Sequence, residues 1–526
     1  MDQLVLVFLM ALAAILAEPL GRRIGVASPV LMTLFGLVLA LDPDIPDIHL
    51  KPELILPLVL PPLLHAAARR TSWRQFASNW AQITRRAFLL VIVTAVAVAW
   101  AFHSWYPALP LAAAVALGAM VAPPDPVAAI ALASRLGLPR RLTSVLEGEG
   151  LFNDVTAVVI YAGAVETVLA GAFSAKQTLM ELATAALVAI GVGLALGWGT
   201  AWLMRHLRDT SGKVALSLLV PFGAYSLADA WRGSGVLAVL VCSLYLSEAA
   251  TSYGDRAFRV VSDAFWEIIE MLVSGFAFGL IGLELATVLH EVGSRWPRML
   301  GSAAVVIAVV VGVRLVWLLG TWWLFARRRT EPDGPQNWRE TIVTWWAGMR
   351  GVATVALALA LPFTLDDGAP FPGRAEILFI AFAVVLFTLL VQGPTLPLVV
   401  RWTCVHANTQ RERDLELQLW HLVRQVELER AEVLAFQENL STDTYEQLRD
   451  LVQRRLARAY PHVHEDDPDG DDGKQAERSR LLRRLMTDIV STGQQELLAM
   501  RSSPTMPPDL VDRVLHHLDV YGGPPR

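Results

Sequence analysis

Charged residues and cysteines are scarce in this sequence. Only 18% of its 526 residues are charged, 54% are hydrophobic, and the mean hydropathy is +0.46. That balance lies outside the usual range of soluble globular chains, so the sequence predicts a protein of the lipid bilayer. Cys242 and Cys404 are too few for a disulfide framework and lack the spacing of metal ligands. We therefore expect neither a metal site nor a resident cofactor.

Long basic runs are missing as well. The largest cluster is Arg327, Arg328 and Arg329, and the formal net charge is −5. A nucleic-acid partner is therefore not expected. The N-terminal MDQLVLVFLMALAAILAEPL has no Lys or Arg before its apolar run, unlike a cleaved signal peptide. We interpret it as a retained first helix.

Apolar stretches are abundant up to about residue 403, and many are long enough to cross a hydrocarbon core of ~30 Å. About thirteen segments are predicted, at residues 3–18, 27–42, 52–67, 86–103, 109–134, 142–170, 178–204, 213–230, 234–247, 264–289, 298–325, 340–362 and 375–402. Nineteen Lys and Arg residues lie in the odd-numbered loops and six in the even-numbered loops. Because positive charge gathers on the cytoplasmic side, this predicts a multi-pass protein of the cell membrane with an external N-terminus and a cytoplasmic C-terminus.

The composition changes abruptly near residue 405. ERDLELQLWHLVRQVELERAEVLAFQENL is rich in charge and carries Leu and Val at helical spacing, which predicts a soluble amphipathic helix. Further helices are expected in YEQLRDLVQRRLARAY and around 475–500 and 508–519, with an acidic linker around 461–474. The sequence therefore predicts a transmembrane domain, 1–405, and a cytoplasmic helical tail, 406–526. The tail is either a regulatory or assembly domain or a passive solubilising extension.

Two aspartates lie at membrane depth. A carboxylate near the bilayer centre costs about 2.5–3.5 kcal/mol on insertion scales, so it indicates a functional site. At 1.5 Å per residue from Arg141, Asp154 lies ~20 Å along its helix, near the middle of the core. Asp125 reaches a similar depth in the preceding segment. We expect both aspartates to face one cavity.

Two of the predicted segments are interrupted. VAPPDPVAAI surrounds Asp125 with three prolines, which cannot continue a helix, and WWAGMRGVATVALALALP flanks Arg350 with glycines. Irregular backbone at membrane depth is tolerated where it lines a cavity, and its free carbonyls make cation sites. Interruptions in segments five and twelve suit an inverted repeat with the site where the two broken helices cross. The alternatives are a kinked packing helix with a structurally paired Asp125, and an Arg350 that merely ends a misjudged helix.

Arg314 lies inside the apolar stretch VVVGVRLVWLLG, and such a charge needs an acidic partner. Glu149 is the best candidate, because it lies inside its own helix, four residues before Asn153 and so on roughly the same face. Glu147 is nearer the cytoplasm and is expected to be solvated. The sequence thus predicts an all-α polytopic membrane protein with a buried polar site.

Four motifs resemble those of bacterial monovalent cation:proton antiporters, the group related to animal sodium/proton exchangers. EGEGLFNDVTAVV resembles their E-x-L-F-N-D region and APPDPVAA their discontinuous-helix aspartate motif, while GMRGVATVALALALP and LLVQGPTLPLVV resemble their late helices. The resemblance covers about residues 1–405. It implies a transporter rather than an enzyme, and a homodimer in which a core bundle moves against a dimerisation bundle.

The resemblance also implies roles for individual residues. Asp154 would be the central carrier of cation and proton, Asp125 would shape the site, and Asn153 would help to organise it. Glu149 and Arg314 would form a structural ion pair beside it.

Arg350 would lie at the second helix break. Two positions depart from the family pattern, which often has Thr before the first aspartate and Ser after the Glu. Here they are Pro124, which still offers a carbonyl, and Gly150, which offers no side-chain oxygen. At least one expected ligand is missing, so the sequence leaves the choice between Na⁺, K⁺ and Li⁺ open.

Exchange follows if one carboxylate binds either a cation or a proton while the site alternates between membrane sides. Asn153, where some relatives have a second Asp, leaves one fewer proton carrier, so the resemblance implies electroneutral exchange, with Na⁺ as the first candidate. A proton-coupled symporter or channel for another solute is an alternative, although selectivity-filter repeats are absent from the sequence. A more remote alternative is an intramembrane aspartyl hydrolase, for which no Gly-x-Gly-Asp segment is present.

Overall fold

The computed structural model describes residues 3–24, 26–41, 51–70, 84–125, 137–170, 175–253, 256–326, 337–365, 367–405, 409–459, 475–501 and 506–521. The acidic linker at 461–474 and the end of predicted segment five, 126–134, lie outside these ranges. The described residues form helices and no strand, and a single β-bridge joins Thr364 and Pro370. The predicted all-α class is therefore confirmed.

The chain divides into two compact units, 1–250 with 265–407 and 251–264 with 408–526. The helices up to the site are α1 (Gln3–Ile24), α2 (Ser28–Leu39), α3 (Pro52–Arg70), α4 (Val91–Trp105), α5 (Leu111–Val121), α6 (Arg140–Ala170), α7 (Ala175–His206), α8 (Thr210–Ala230), α9 (Gly235–Tyr253), α10 (Arg256–Val292), α11 (Trp296–Ala326), α12 (Trp338–Trp346), α13 (Val352–Leu359), α14 (Arg374–Phe387) and α15 (Gly393–Thr403). The C-terminal helices are α16 (Thr409–Gln437), α17 (Thr442–Ala459), α18 (Gln475–Arg501) and α19 (Pro508–Tyr521).

Seven apolar helical stretches within the described residues are long enough to cross a bilayer, and one of them, Ala257–Leu324, contains both α10 and α11. Three shorter apolar helices are Ser28–Leu39, Leu111–Val121 and Gly235–Ala250. Each of the thirteen predicted segments overlaps at least one helix of the described structure. The number of membrane crossings stays a prediction, as does the inverted repeat.

Small residues bring several membrane helices into backbone contact. Gly118 of α5 lies so close to Ala95 of α4 that a Cβ would overlap the Ala95 carbonyl oxygen. Gly36 of α2 makes an equally close approach to Gly279 and Gly282 of α10. Lipid tails give no hydrophobic drive to helix association, so such close packing supplies much of the attraction between helices. The α4–α5 contact fixes the helix that leads to Asp125.

The C-terminal helices α16 to α19 surround an apolar core of their own. Its buried members include Leu419, Val423, Val452 and Ile489. Amphipathic helices gain most of their stability from such packing rather than from helix propensity. The tail is therefore a packed helical unit, and its role, regulatory, assembly or passive, stays a prediction.

One ion pair lies inside this C-terminal unit. Arg455 of α17 donates to both carboxylate oxygens of Glu427 of α16 at 2.7 Å, and the two side chains are 3% and 0% exposed. Gly493 of α18 faces the same carboxylate, and a Cβ there would lie 2.6 Å from Glu427 Oε1. Burial raises the pKa of the Glu427 carboxyl, and the bonded Arg455 opposes that rise. The pair thus joins three helices at the centre of the unit.

We predict that Arg455→Met lowers the stability of this unit by about 3–5 kcal/mol, because Glu427 is left buried and uncompensated. The loss should shrink as the pH is lowered and should be small below the ordinary carboxyl pKa, where Glu427 is protonated in both the folded and the unfolded state. Hydrogen exchange of α17 peptides in the full-length protein measures it. Arg454→Met is the matched control, because Arg454 is 45% exposed and its pair with Asp450 is worth about 0–1 kcal/mol. Equal loss of protection in both variants would contradict the prediction.

Candidate functional site

Two interruptions of regular helix meet at the candidate site. The first is residues 122–125, which follow the end of α5 at Val121, and the second is residues 347–351, between α12 and α13. The Asp125 amide donates to the Met349 carbonyl at 2.7 Å, so one interruption pairs with the other through backbone. Backbone groups in a membrane need partners inside the protein, and this bond supplies two of them.

The Asp125 side chain caps the helix that follows the second interruption. Its Oδ2 accepts the amide of Val352, the first residue of α13, at 3.2 Å. A carboxylate at a helix N-terminus is stabilised by the helix dipole and by the free amides there. Gly351 makes the approach feasible, because a Cβ at that position would overlap the Asp125 carboxylate. The glycine therefore has a steric reason beyond breaking the helix.

Arg350 lies at the second interruption and reaches across to the first. Its guanidinium donates to the carbonyls of Val121 at 3.0 Å and Ala122 at 3.3 Å, and also to that of Gly348. Its amide donates to Thr388 Oγ1 at 3.0 Å. A cation at a helix C-terminus complements the dipole and satisfies the last carbonyls. Arg350 therefore terminates α5 electrostatically.

Asn153 links α6 to the first interruption. Its Nδ2 donates to the Pro124 carbonyl at 2.7 Å, which orients the amide, since only the nitrogen can donate to a carbonyl. Its Oδ1 is buried and has no hydrogen-bond partner in the described structure. Asp154, the next residue, is close enough to Asp125 for the two charges to repel. The structure thus brings Asp154, Asp125, Asn153 and Pro124 to one place.

Glu149 and Arg314 form a buried ion pair one helical turn from Asn153. Arg314 Nη1 bonds Glu149 Oε1, and Nη2 lies 3.3 Å from Oε2, with the two side chains 2% and 1% exposed. Arg314 Nη2 also donates to the Thr344 carbonyl of α12 at 3.4 Å. Gly348 gives the guanidinium room, because a Cβ there would overlap it. The pair therefore ties α6 and α11 to the second interruption.

The family model described as "Sodium/hydrogen exchanger, transmembrane" matches residues 7–402. The chain belongs to the sodium/hydrogen exchanger family. The resemblance seen in the motifs is thereby confirmed, and the matched region contains all seven site residues expected from the sequence. The family is one of transporters, so this exchanger is a transporter rather than an enzyme, and the aspartyl hydrolase alternative is wrong.

Relatives of this exchanger cover different parts of it. A Na⁺/H⁺ exchanger of Mycobacterium tuberculosis is 33% identical over 506 residues, which cover 95% of this chain and 92% of the relative. The Na⁺/H⁺ antiporter ApNhaP of Aphanothece halophytica is 34% identical over 372 residues, covering 70% and 68%. The sodium proton antiporter MjNhaP1 of Methanocaldococcus jannaschii has a similar fold, with a TM-score of 0.59 at 19% identity, covering 76% of this chain and 99% of that one.

Sequence reasoning missed several residues that build the site of this exchanger. Thr388, which holds the Arg350 amide, lies in a π-helical turn, Thr388–Gln392, between α14 and α15. Such turns are frequent at functional sites, but their hydrogen-bond pattern leaves no clear mark on hydropathy. Arg86 also escaped attention as a site residue, and it is buried near Glu149 with its Nη1 unbonded in the described structure. Its loop-like sequence context suggested only a cytoplasmic charge.

We predict that Arg314→Ala lowers the free energy of unfolding by about 3–5 kcal/mol, because Glu149 is left charged and unpaired in a dry site. Thermal unfolding of the purified protein in detergent measures the loss.

Arg295→Ala is the control for that measurement. Arg295 pairs with Glu376 at 2.6 Å but is 54% exposed, so its removal should cost at most about 1 kcal/mol. If Arg314→Ala were as stable as Arg295→Ala, the buried pair would not contribute as described.

Proposed function

We propose that this exchanger carries a monovalent cation, Na⁺ first, in exchange for H⁺ across the cell membrane, with Asp154 as the shared carrier. One observation carries the proposal. The bond from Asn153 to the Pro124 carbonyl joins the helix of Asp154 to residues 124 and 125, and Asp154 is close enough to Asp125 for the two charges to interact. This proximity supports one ion site shared by both carboxylates, because crossings of broken helices bind ions in secondary transporters.

The hydrogen bonds to the two carboxylates favour Asp154 over Asp125 as the carrier. Asp125 is engaged by the α13 amide of Val352, whereas the described residues offer no hydrogen-bond donor to the Asp154 carboxylate. A carboxylate without a fixed partner is free to accept either a metal cation or a proton. Competition between the two at one group then couples their movements in opposite directions.

The same site supports one-for-one exchange. Glu149 is neutralised by Arg314, and Asn153 carries no charge, so Asp154 is the acidic group that remains to change partners. A cycle that carries one Na⁺ in one direction and one H⁺ in the other on a single carboxylate moves no net charge. Electroneutral exchange by alternating access is therefore part of the proposal.

The orientation in the membrane, the oligomeric state and the transported ion are proposed from the sequence and from the family. The loop charges favour an external N-terminus and a cytoplasmic C-terminus, and the resemblance implies a homodimer. The two relatives bear the names Na⁺/H⁺ exchanger and Na⁺/H⁺ antiporter, which supports Na⁺ as the first ion to test. A proton-coupled symporter or channel would instead show flux without obligatory cation-for-proton exchange.

We predict that Asp154→Asn abolishes exchange and leaves the protein folded. In proteoliposomes with an imposed proton gradient, dequenching of a pH-reporting dye should follow addition of Na⁺ to wild-type protein, with K⁺ and Li⁺ added in parallel to rank selectivity. The asparagine removes the only group that binds both substrates, so no cation should evoke a response.

Asp229→Asn is the control, because Asp229 is an exposed acid at the end of α8 and should leave exchange intact. Sodium-dependent proton movement that persists in Asp154→Asn would refute the assignment of the carrier. If none of the three cations caused dequenching with wild-type protein, cation:proton exchange itself would be refuted.

A further inference from the structure

Among the described residues, the candidate site has few backbone oxygen atoms left for a cation. In broken-helix transporters, unwound carbonyls and half-helix C-termini coordinate the ion. Here the last carbonyls of α5, at Val121 and Ala122, accept from Arg350, and the Pro124 carbonyl accepts from Asn153. Positions 124 and 150 also lack a hydroxyl. A dehydrated cation therefore needs oxygen from elsewhere.

Thr354 carries a buried hydroxyl that forms no hydrogen bond within the described residues. Its side chain is 1% exposed, and its Oγ1 has no hydrogen-bond partner in the part of the chain that the structure describes. Other buried threonines of the same unit donate to a backbone carbonyl: Thr33, Thr94, Thr156, Thr341, Thr344, Thr388 and Thr403. An unbonded buried hydroxyl pays its full desolvation penalty, and an absent ion is one recognised explanation.

Thr354 lies in the turn of helix that borders the crossing. Thr354 lies in the first turn of α13, two residues after Val352, whose amide holds Asp125. Two residues of helix advance about 3 Å along the axis, so the threonine belongs to the end of α13 that Asp125 caps. Gly351 has no side chain to separate that end from the carboxylate.

A second unused oxygen supports the same location. Asn153 Oδ1 is also buried and unbonded in the described structure, and its amide nitrogen holds Pro124. The two unbonded oxygens therefore belong to the two helices that hydrogen-bond to residues 124 and 125. Helix α6 bonds Pro124 through Asn153, and α13 bonds Asp125 through Val352. A cation coordinated by both atoms would supply the missing partner of each.

We propose that Thr354 Oγ1 is a ligand of the transported cation and supplies the hydroxyl oxygen that Pro124 and Gly150 do not. The inference rests on the proposed function, because it concerns the site at which Asp154 exchanges a cation for a proton. A proton on Asp154 needs no such ligand. Thr354 thus distinguishes the cation-loaded state from the protonated state and contributes to cation selectivity.

Thr354→Val is the direct test, because valine keeps the shape and removes the oxygen. In proteoliposomes its KM for Na⁺ should rise roughly tenfold, which corresponds to about 1.4 kcal/mol, while the maximal rate at saturating Na⁺ stays within about twofold. Thr354→Ser, which keeps the hydroxyl, should retain a KM near that of wild type. Thr156→Val removes a hydroxyl that is already bonded to the Phe152 carbonyl, and it should leave the KM unchanged.

Thermal unfolding in detergent gives a readout that is independent of transport. Added Na⁺ should raise the unfolding temperature of wild type and Thr354→Ser, since a bound ion stabilises the folded state, and should raise that of Thr354→Val less. Without Na⁺, Thr354→Val should be at least as stable as wild type. A clear loss of stability there would mean that the hydroxyl supports the fold, and would overturn the inference.

The transport outcomes separate the two proposals. An unchanged KM in Thr354→Val, beside normal wild-type exchange, overturns the role of Thr354 alone. An equal rise of the KM in Thr354→Val and Thr354→Ser also overturns it, because shape rather than the hydroxyl would then matter. Exchange that persists in Asp154→Asn overturns the proposed function beneath it.

Discussion

The backbone bond between Asp125 and Met349 is the constraint on which the rest of the site depends. Helix α5 ends at Val121 and α12 ends at Trp346, and each helix end leaves backbone amides or carbonyls that lipid cannot hydrogen-bond. The Asp125 amide meets the Met349 carbonyl, and the Asp125 carboxylate meets the first amide of α13. Each interruption therefore supplies partners to the other. The crossing holds Asp125 in place, and the described part of the chain offers the neighbouring Asp154 no hydrogen-bond donor.

Buried arginines compensate the rest of the charge around that crossing. Arg350 donates to the C-terminal carbonyls of α5, and Arg314 forms an ion pair with Glu149. A Cβ at Gly348 would overlap the Arg314 guanidinium, and the Gly348 carbonyl accepts from Arg350, so Gly348 serves electrostatics as much as helix breaking. Because these charges already have partners among the described residues, our proposal assigns the exchange of cation and proton to Asp154.

Much of this was readable in the sequence, and the reasons differ between residues. The interruption at Asp125 followed from proline chemistry, and the contact between Arg314 and Glu149 followed from the need of a buried charge for a partner. Helix ends were less accurate: α10 begins at Arg256 rather than at residue 264, because the charges in its first turns lower the hydropathy. The bonds from Arg350 to Val121 and Ala122 could not be predicted from the sequence, because they join residues more than two hundred positions apart. The unbonded hydroxyl of Thr354 could not be predicted either, because it depends on which residues surround it in the folded chain.

The central claim is that one carboxylate holds either Na⁺ or H⁺. The most direct test is to titrate the detergent-solubilised protein with Na⁺ in weakly buffered solution near the midpoint of its pH response, and to measure bound Na⁺ and released H⁺ together. The account predicts a close link, approaching one proton released per Na⁺ bound when the site starts protonated, with both signals lost in Asp154→Asn. Saturable Na⁺ binding without proton release from the protonated protein, or release that survives in Asp154→Asn, would contradict it.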